Sequence, residues 1–267
     1  MNSYGNDFVI TKDKYITINK FADRNQCIGY DQQICFKYLC KNIFACYILN
    51  ADNTVAYNCF NGLRCVSKFV FKVTGLSKVY LLTRLGCYKF AVSDVYPDKI
   101  VSFLRDPSIV FDESFVFSYR YMFFRTINFN MQVNFFLTTY YFTYLFIGNP
   151  HAVFLTSVSK SKLFAFYNRF LVRAIFSYGI NVSFFDFRTM TVLTYERGAG
   201  FTCSCGTGTL ACCIAYCFYS RVLALTVFCG RGFLMFNSYS CTSFSLLGSS
   251  VFSYVGLIKL NDYRFKR

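Results

Sequence analysis

The sequence predicts an α/β (α+β) protein of two pseudo-symmetric domains. Each is expected to be a strand-rich, barrel-like fold around a central helix, with the active site in the cleft between them. Three observations carry this expectation. Short apolar runs bounded by Gly, Asn or Asp dominate the chain. Two stretches show helical spacing beside a glycine-bearing turn. A set of motifs recurs, in the same order, in both halves.

Composition sets the limits. At roughly 150 residues per domain, 267 residues allow one large or two modest domains. A chain with 55% hydrophobic and 21% aromatic residues is not disordered. Only 3 Pro and 15 Gly exclude collagen-like and linker-like chains. The 14 Cys do not make a disulfide scaffold, because the chain is too long for one. The opening stretch from Met1 to Asp7 is polar and no apolar leader follows. A reduced, cytoplasmic chain is therefore expected, with most cysteines acting as small buried hydrophobes. The net charge of +15 is scattered, and its one dense cluster is Arg264, Lys266 and Arg267. Nucleic-acid binders concentrate such charge on one stripe, so no nucleic acid is expected as partner. The longest apolar run, Phe135 to Ile147, is shorter than the 18 or so residues a membrane helix needs and reads as buried strand. No membrane association is expected.

The strands are read at Phe8 to Ile10, Ala45 to Leu49, Val79 to Leu82, Ala152 to Leu155 and Met190 to Tyr195. One helix is read after Asn61-Gly62, with Leu63, Val66, Phe69 and Val70 on one face. The other follows Gly206-Thr207-Gly208. It is apolar all round (Leu210, Ala211, Ile214, Ala215, Cys217, Phe218), which predicts burial.

The repeat is the most informative feature. Gly5-Asn6 recurs as Gly148-Asn149. A strand ending at Asn50 is matched by one ending at Glu196. Nine residues further on in each half stands a cysteine, Cys59 and Cys205. Each opens a Cys-x-x-Gly turn, ending at Gly62 and Gly208. Tyr30-Asp31-Gln32 and Gly179-Ile180-Asn181 take comparable places. One such match is unremarkable, but four in register point to two homologous halves. The expected domains are 1–112, to which 254–267 returns, and 113–253.

The doubled cysteine suggests a chemistry. Free backbone N–H groups at a helix N-terminus attract anions and lower a thiol's pKa. Two thiols facing each other can serve opposite faces of one carbon, one removing a proton and the other returning one. The outcome is inversion of a stereocentre with no cofactor and no metal. Each residue alone is ordinary. A lone Cys is usually core filler, His151 alone is usually structural, Asn149-Pro150 alone marks a turn, and Glu196-Arg197 alone reads as a solvated pair.

Taken together, the motifs resemble the diaminopimelate epimerase family. The resemblance rests on Gly5-Asn6-Asp7-Phe8-Val9, Gly29-Tyr30-Asp31-Gln32, Asn50-Ala51-Asp52 and Cys59-Phe60-Asn61-Gly62-Leu63-Arg64-Cys65. It rests further on Gly148-Asn149-Pro150-His151-Ala152-Val153 and Glu196-Arg197-Gly198-Ala199-Gly200 with Cys205-Gly206-Thr207-Gly208. It implies conversion of L,L- to meso-diaminopimelate for lysine and peptidoglycan precursors, with Cys59 and Cys205 as the two bases. It implies substrate contacts at Asn6, Gln32, Asn50, Asn61, Asn149, Asn181, Glu196 and Arg197. Arg197, Asn50 and Asn181 would take the distal carboxylate and Glu196 the distal ammonium. Backbone N–H groups about Phe60-Asn61 and Gly206-Thr207 would grip the reacting carboxylate, and His151 would support the site. A homodimer is also implied, with the aromatic-rich segment 115–145 as its expected contact.

The sequence departs from the family at two places. Phe60 stands where the family has glycine, and Phe201 where it has glutamate. Three other readings remain. A proline racemase-like enzyme would use the same thiols. A metal or redox protein would use Cys203, Cys205, Cys212 and Cys213, whose spacing is unlike usual thiolate sites. A catalytically degenerate homologue would serve as an interaction protein.

Overall fold

The computed structural model describes residues 1–12, 19–105, 124–127, 130–135, 138–155, 179–197, 200–202, 204–230 and 232–256. The expected domain boundary at 112, the start of the 115–145 segment, Gly198-Ala199, Cys203 and the basic tail lie outside these residues.

The N-terminal half opens with a hairpin of β1 (Asn2–Ser3) and β2 (Asn6–Lys12). Next, β3 (Gln32–Cys40) lies parallel to β2, and β4 (Ile43–Asn50) runs back antiparallel, with the short β5 (Val55–Ala56) on its edge. Helix α1 (Phe60–Thr74) follows. The chain returns as β6 (Lys78–Thr83), parallel to β4, then β7 (Gly86–Val92) and β8 (Lys99–Arg105), each antiparallel to its predecessor.

An antiparallel meander, β9 (Phe124–Ile127), β10 (Asn130–Phe135) and β11 (Thr138–Phe146), leads onward. It delivers the chain to β12 (Pro150–Leu155), antiparallel to β11. The first plan is then repeated. β13 (Asn181–Asp186) is parallel to β12, β14 (Thr191–Glu196) is antiparallel to β13, and β15 (Gly200–Phe201) edges β14. Helix α2 (Gly206–Ser220) follows, then β16 (Ala224–Cys229) parallel to β14, β17 (Gly232–Ser240) and β18 (Ser243–Ser249). Strand for strand, the pairing senses of β2–β8 and β12–β18 agree. Both helices are 15 residues long.

The halves share one hydrogen-bonded network, because β8 and β18 pair antiparallel from Lys99↔Ser249 to Arg105↔Ser243. Helix α1 touches β1, β2, β3, β6, β7 and β8, and α2 touches β12, β13, β14, β16 and β17, so each half wraps its own helix. One apolar core runs through both, from Ile34, Leu63 and Val66 to Leu210, Ile214 and Leu234. On β6 the alternation is clean, with Val79 and Leu81 inside and Tyr80 and Leu82 outside. Val251 bridges back to Asn2, and the Phe252 ring lies against Phe69 of α1. Among the described residues, no helix is long and apolar enough to cross a membrane.

Most strands run one or two residues beyond the sequence reading, as β2 (Asn6–Lys12) does beyond Phe8 to Ile10 and β4 (Ile43–Asn50) beyond Ala45 to Leu49, and two element starts differ in kind. Met190 takes a left-handed turn conformation at φ 52°, so β14 starts one residue later. Each helix begins directly after its cysteine, which makes Gly62 and Gly208 helical residues rather than a preceding turn. They are glycine for want of space. A Cβ on Gly62 would lie 2.4 Å from Ile34 Cδ1, and one on Gly208 would lie 2.6 Å from Thr194 Oγ1.

Candidate active site

Cys59 and Cys205 are the N-caps of α1 and α2. Both have extended backbone, and each sulfur accepts from the N–H three residues on, Gly62 at 3.4 Å and Gly208 at 3.3 Å. Capping side chains are usually oxygen acceptors; here a thiol holds that place in both halves. Capping occupies one N–H of each first turn, and the remaining first-turn N–H groups have no partner within the helix.

The two helix ends meet. The Asn61 side-chain amide donates to Ser204 O at 3.1 Å, the residue before Cys205, and to Asn6 Oδ1 at 3.0 Å. Gly206 lies so close that a Cβ there would come within 2.7 Å of Asn61 Oδ1 and 3.2 Å of Phe60 Cβ. The halves also touch where Asn149 Nδ2 donates to Asn58 O at 3.4 Å.

Glu196 ends β14 at this junction. The Thr202 hydroxyl and the Cys205 thiol both hydrogen-bond its carboxylate. Burial pushes the carboxyl above its ordinary range, with Asp31 of the other half adding repulsion and the two hydrogen bonds opposing. Its charge in turn acts on both thiols.

The pairing register explains the other polar positions. Gln32 faces Asn50 across β3–β4, and its Nε2 donates to Asn50 Oδ1 at 2.8 Å. In the second half Asn181 and Glu196 hold the corresponding places on β13–β14, and Asn181 Oδ1 accepts from Arg197 N at 2.9 Å. His151 pairs with Asn181 as Phe8 pairs with Gln32. It thus occupies what is a core phenylalanine position in the first half. It is fully buried, and neither ring nitrogen has a hydrogen-bond partner among the described residues.

Burial lowers the His151 pKa to about 3. The folded state therefore resists protonation below the ordinary 6.5. This contribution to stability is complete above pH 6.5 and is lost as pH falls toward 3. The chain has one histidine, so a single imidazole signal is expected by NMR. It should stay in the neutral form down to acid unfolding. A midpoint near 6.5 in the folded protein would contradict this.

The sequence reading places the thiols near their ordinary pKa or below it, and the structure corrects this. A helix terminus contributes about 1 kcal/mol, less than one pKa unit. Burial is larger and carries Cys59 from 9.0 to about 12, with the Gly62 N–H and Arg64 opposing and Glu196 adding. Burial and Glu196 push Cys205 up as well, against the Thr207 hydroxyl, 3.4 Å from its sulfur, and the Gly208 N–H. Within the protein alone both thiols are neutral at pH 7.

Both departures from the family pattern border this junction, Phe60 with its Cβ 3.2 Å from where a Cβ on Gly206 would lie and Phe201 directly before Thr202. The Phe60 ring is buried against Tyr88 and Phe90 of β7, at 5.3 and 6.2 Å between centroids. It is the first residue of a right-handed helix, so no left-handed conformation is demanded of it. Its backbone N–H remains at the helix end. Phe201 lies on the exposed strand β15 with its ring edge-on to Tyr195. Sequence reasoning missed Asn58, Ser204 and Thr202. Thr202 lies between the two quoted pieces of the Glu196–Gly208 motif, whereas Asn58 and Ser204 carried no signal. Cys212 and Cys213 are buried along α2, as expected of core filler.

No protein-family model matches the chain. The diaminopimelate epimerase of Wigglesworthia glossinidia brevipalpis is 30% identical over 238 residues, covering 83% of this chain and 84% of that protein. The chain belongs to the diaminopimelate epimerase family. Other relatives of that name include those of Methanococcus maripaludis, 28% identical over 80% of this chain and 81% of the relative, and Rickettsia prowazekii, 27% identical over 79% and 78%. With family membership the chain is an amino-acid epimerase, an isomerase. Solved structures of similar fold include a hydroxyproline epimerase of Agrobacterium vitis, with a TM-score of 0.57, 13% identity and coverage of 86% and 76%. A phenazine biosynthesis protein of the PhzF family from Enterococcus faecalis has a TM-score of 0.54, 10% identity and coverage of 91% and 87%. At these identities the likeness is one of fold.

Proposed function

We propose that the chain interconverts L,L- and meso-diaminopimelate without a cofactor, with Cys59 and Cys205 as the two bases. One thiolate takes the α-proton and becomes a thiol. The electron pair left behind is held as an enolate-like charge on the α-carboxylate. The opposite thiol delivers its proton to the far face and becomes a thiolate. Nothing is oxidised or reduced, and the stereocentre is inverted.

The observation that carries this reading is the meeting of two equivalent thiol-capped helix ends, stitched by Asn61 to the residue before Cys205. Backbone N–H groups about Phe60-Asn61 and Gly206-Thr207 suit the reacting carboxylate, since a helix N-terminus favours an anion where charge develops. Neutral thiols, Cys205 buried and Cys59 half-buried, are helped to ionise by a nearby cation. The α-ammonium of a bound amino acid supplies one beside them, which ties formation of the base to substrate binding. Arg197, with Asn50 and Asn181, suits a second carboxylate, and Glu196 a second ammonium. Asn6, Gln32 and Asn149 complete the wall, and His151 supports it from the core. The reaction would serve lysine and peptidoglycan precursors in the cytoplasm.

The test is exchange of the α-hydrogen in deuterium oxide, with L,L-diaminopimelate and proline compared side by side. Exchange with inversion on diaminopimelate alone is expected. Preference for proline would favour a proline racemase-like enzyme. Folded protein that exchanges neither would be a degenerate homologue.

A further inference from the structure

Arg64 is the largest fully buried side chain of the described residues and lies in the first turns of α1, five residues after Cys59. A guanidinium stays protonated in proteins, so this is a charge held out of water. Among the described residues no carboxylate forms an ion pair with it. Its Nη1 donates to Asn61 Oδ1 at 3.0 Å and to Ser3 Oγ at 3.1 Å, while Nε and Nη2 have no hydrogen-bond partner among the described residues. Removing Arg64 would relieve a buried cation, which often costs no stability. Its presence therefore calls for a reason other than stability.

The reason lies in what Asn61 does. Both of its amide hydrogens are engaged, one with Asn6 Oδ1 and one with Ser204 O, and its oxygen is held by Arg64. The carboxamide is thus fully used in fastening the end of α1 to the residue that precedes Cys205. Flipped by half a turn, it would point its oxygen at two acceptors and lose the fastening. Arg64 specifies the orientation, and nearby Gly248 leaves it room, since a Cβ there would come within 2.9 Å of Arg64 Cζ.

We propose that Arg64 is a positioning residue for the epimerase reaction: by clamping the Asn61 carboxamide in one orientation it keeps the two thiol-bearing helix ends in register. The role rests on the function proposed above, and it is exercised through Asn61 rather than by contact with substrate. The same charge pulls the Cys59 thiol downward against its burial.

The experiment compares wild type with Arg64→Met, Arg64→Lys and Ser3→Ala on L,L-diaminopimelate, together with side-chain amide hydrogen exchange in nitrogen-15-labelled protein. Arg64→Met is expected to fold with a thermal midpoint at or above wild type. Its kcat should fall about 100-fold, the scale expected of a misplaced reacting group, with KM changed less than about threefold. Its kcat–pH profile should move to higher pH. Arg64→Lys, which can still donate to Asn61 Oδ1, should recover part of kcat, and Ser3→Ala should lose less than Arg64→Met. The Asn61 amide hydrogens should be protected in wild type and exchange at least about tenfold faster in Arg64→Met. Wild-type kcat in folded Arg64→Met, or a loss matching only a reduced folded fraction, would overturn the proposal. If Arg64→Met does not fold, the Lys and Ser3 variants decide by the same criteria. If wild type lacks the activity altogether, the proposed function fails, and amide protection alone still tests the clamp.

Discussion

Alanine at either Cys59 or Cys205 is expected to reduce epimerisation by about 10³-fold or more, the usual worth of a positioned proton-transfer group. The two variants should nonetheless differ in what they retain. With Cys59 gone, Cys205 can still remove a proton from the isomer that faces it and return deuterium to the same side. Cys205→Ala leaves Cys59 to do the same to the opposite isomer. Each variant should therefore exchange one isomer with solvent and invert neither. This is a sharper expectation than loss of activity, which any damaged enzyme would show. Two variants exchanging the same isomer, or either inverting at the wild-type rate, would exclude the two-base assignment. Circular dichroism and amide exchange should remain native, because each cap loses one weak N–H···S contact of 3.3 to 3.4 Å.

Gly208→Ala should destabilise the protein and lower its activity together. Alanine is the better helix former by about 1 kcal/mol, so propensity alone predicts a gain. The structure reverses the sign. The new Cβ would lie 2.6 Å from Thr194 Oγ1 and 2.8 Å from Ser183 Oγ. These two short side chains are buried and hydrogen-bonded to each other at 3.1 Å, so neither can swing away. Overpacking of this kind costs about 1–3 kcal/mol, and α2 must back away from β13 and β14. A fall in thermal midpoint of a few degrees is expected, with a larger loss of kcat because Cys205 moves with the helix. Thr194→Ala removes the closest of these atoms, so the double variant should recover most of both losses. Strict additivity of the two changes would show that the crowding is not the cause.

The sequence made the repeat legible because local chemistry enforces it. Cys59 and Cys205 stand at equal distances from strand ends at Asn50 and Glu196, and each turn carries the glycine that close packing demands. The amphipathic stripe of α1 was legible for the same reason, whereas the all-round burial expected of α2 holds only as far as Ala215, since Cys217 is half-buried and Phe218 near its end is exposed. The clamp was not. Arg64 reads as an ordinary surface-type residue in a helix, and only the tertiary structure shows it buried and aimed at Asn61. Ser204 is even more obscure, since its contribution is a backbone carbonyl that any residue would offer. The ionisation of the thiols was misjudged because a helix end is visible in sequence and the depth at which it lies is not. The β8–β18 pairing joins strands more than 130 residues apart, for which neither strand carries a partner code.

That pairing has a consequence for the molecule as a whole. Seven consecutive residue pairs link β8 to β18, and Tyr4 from the N-terminal hairpin reaches across to receive the Ser249 amide at 2.7 Å. The two halves are accordingly joined along a common seam. Excising one of them would strip a ladder edge and lay bare an oily flank on the survivor. The two halves follow one plan of construction and share the ladder that joins them.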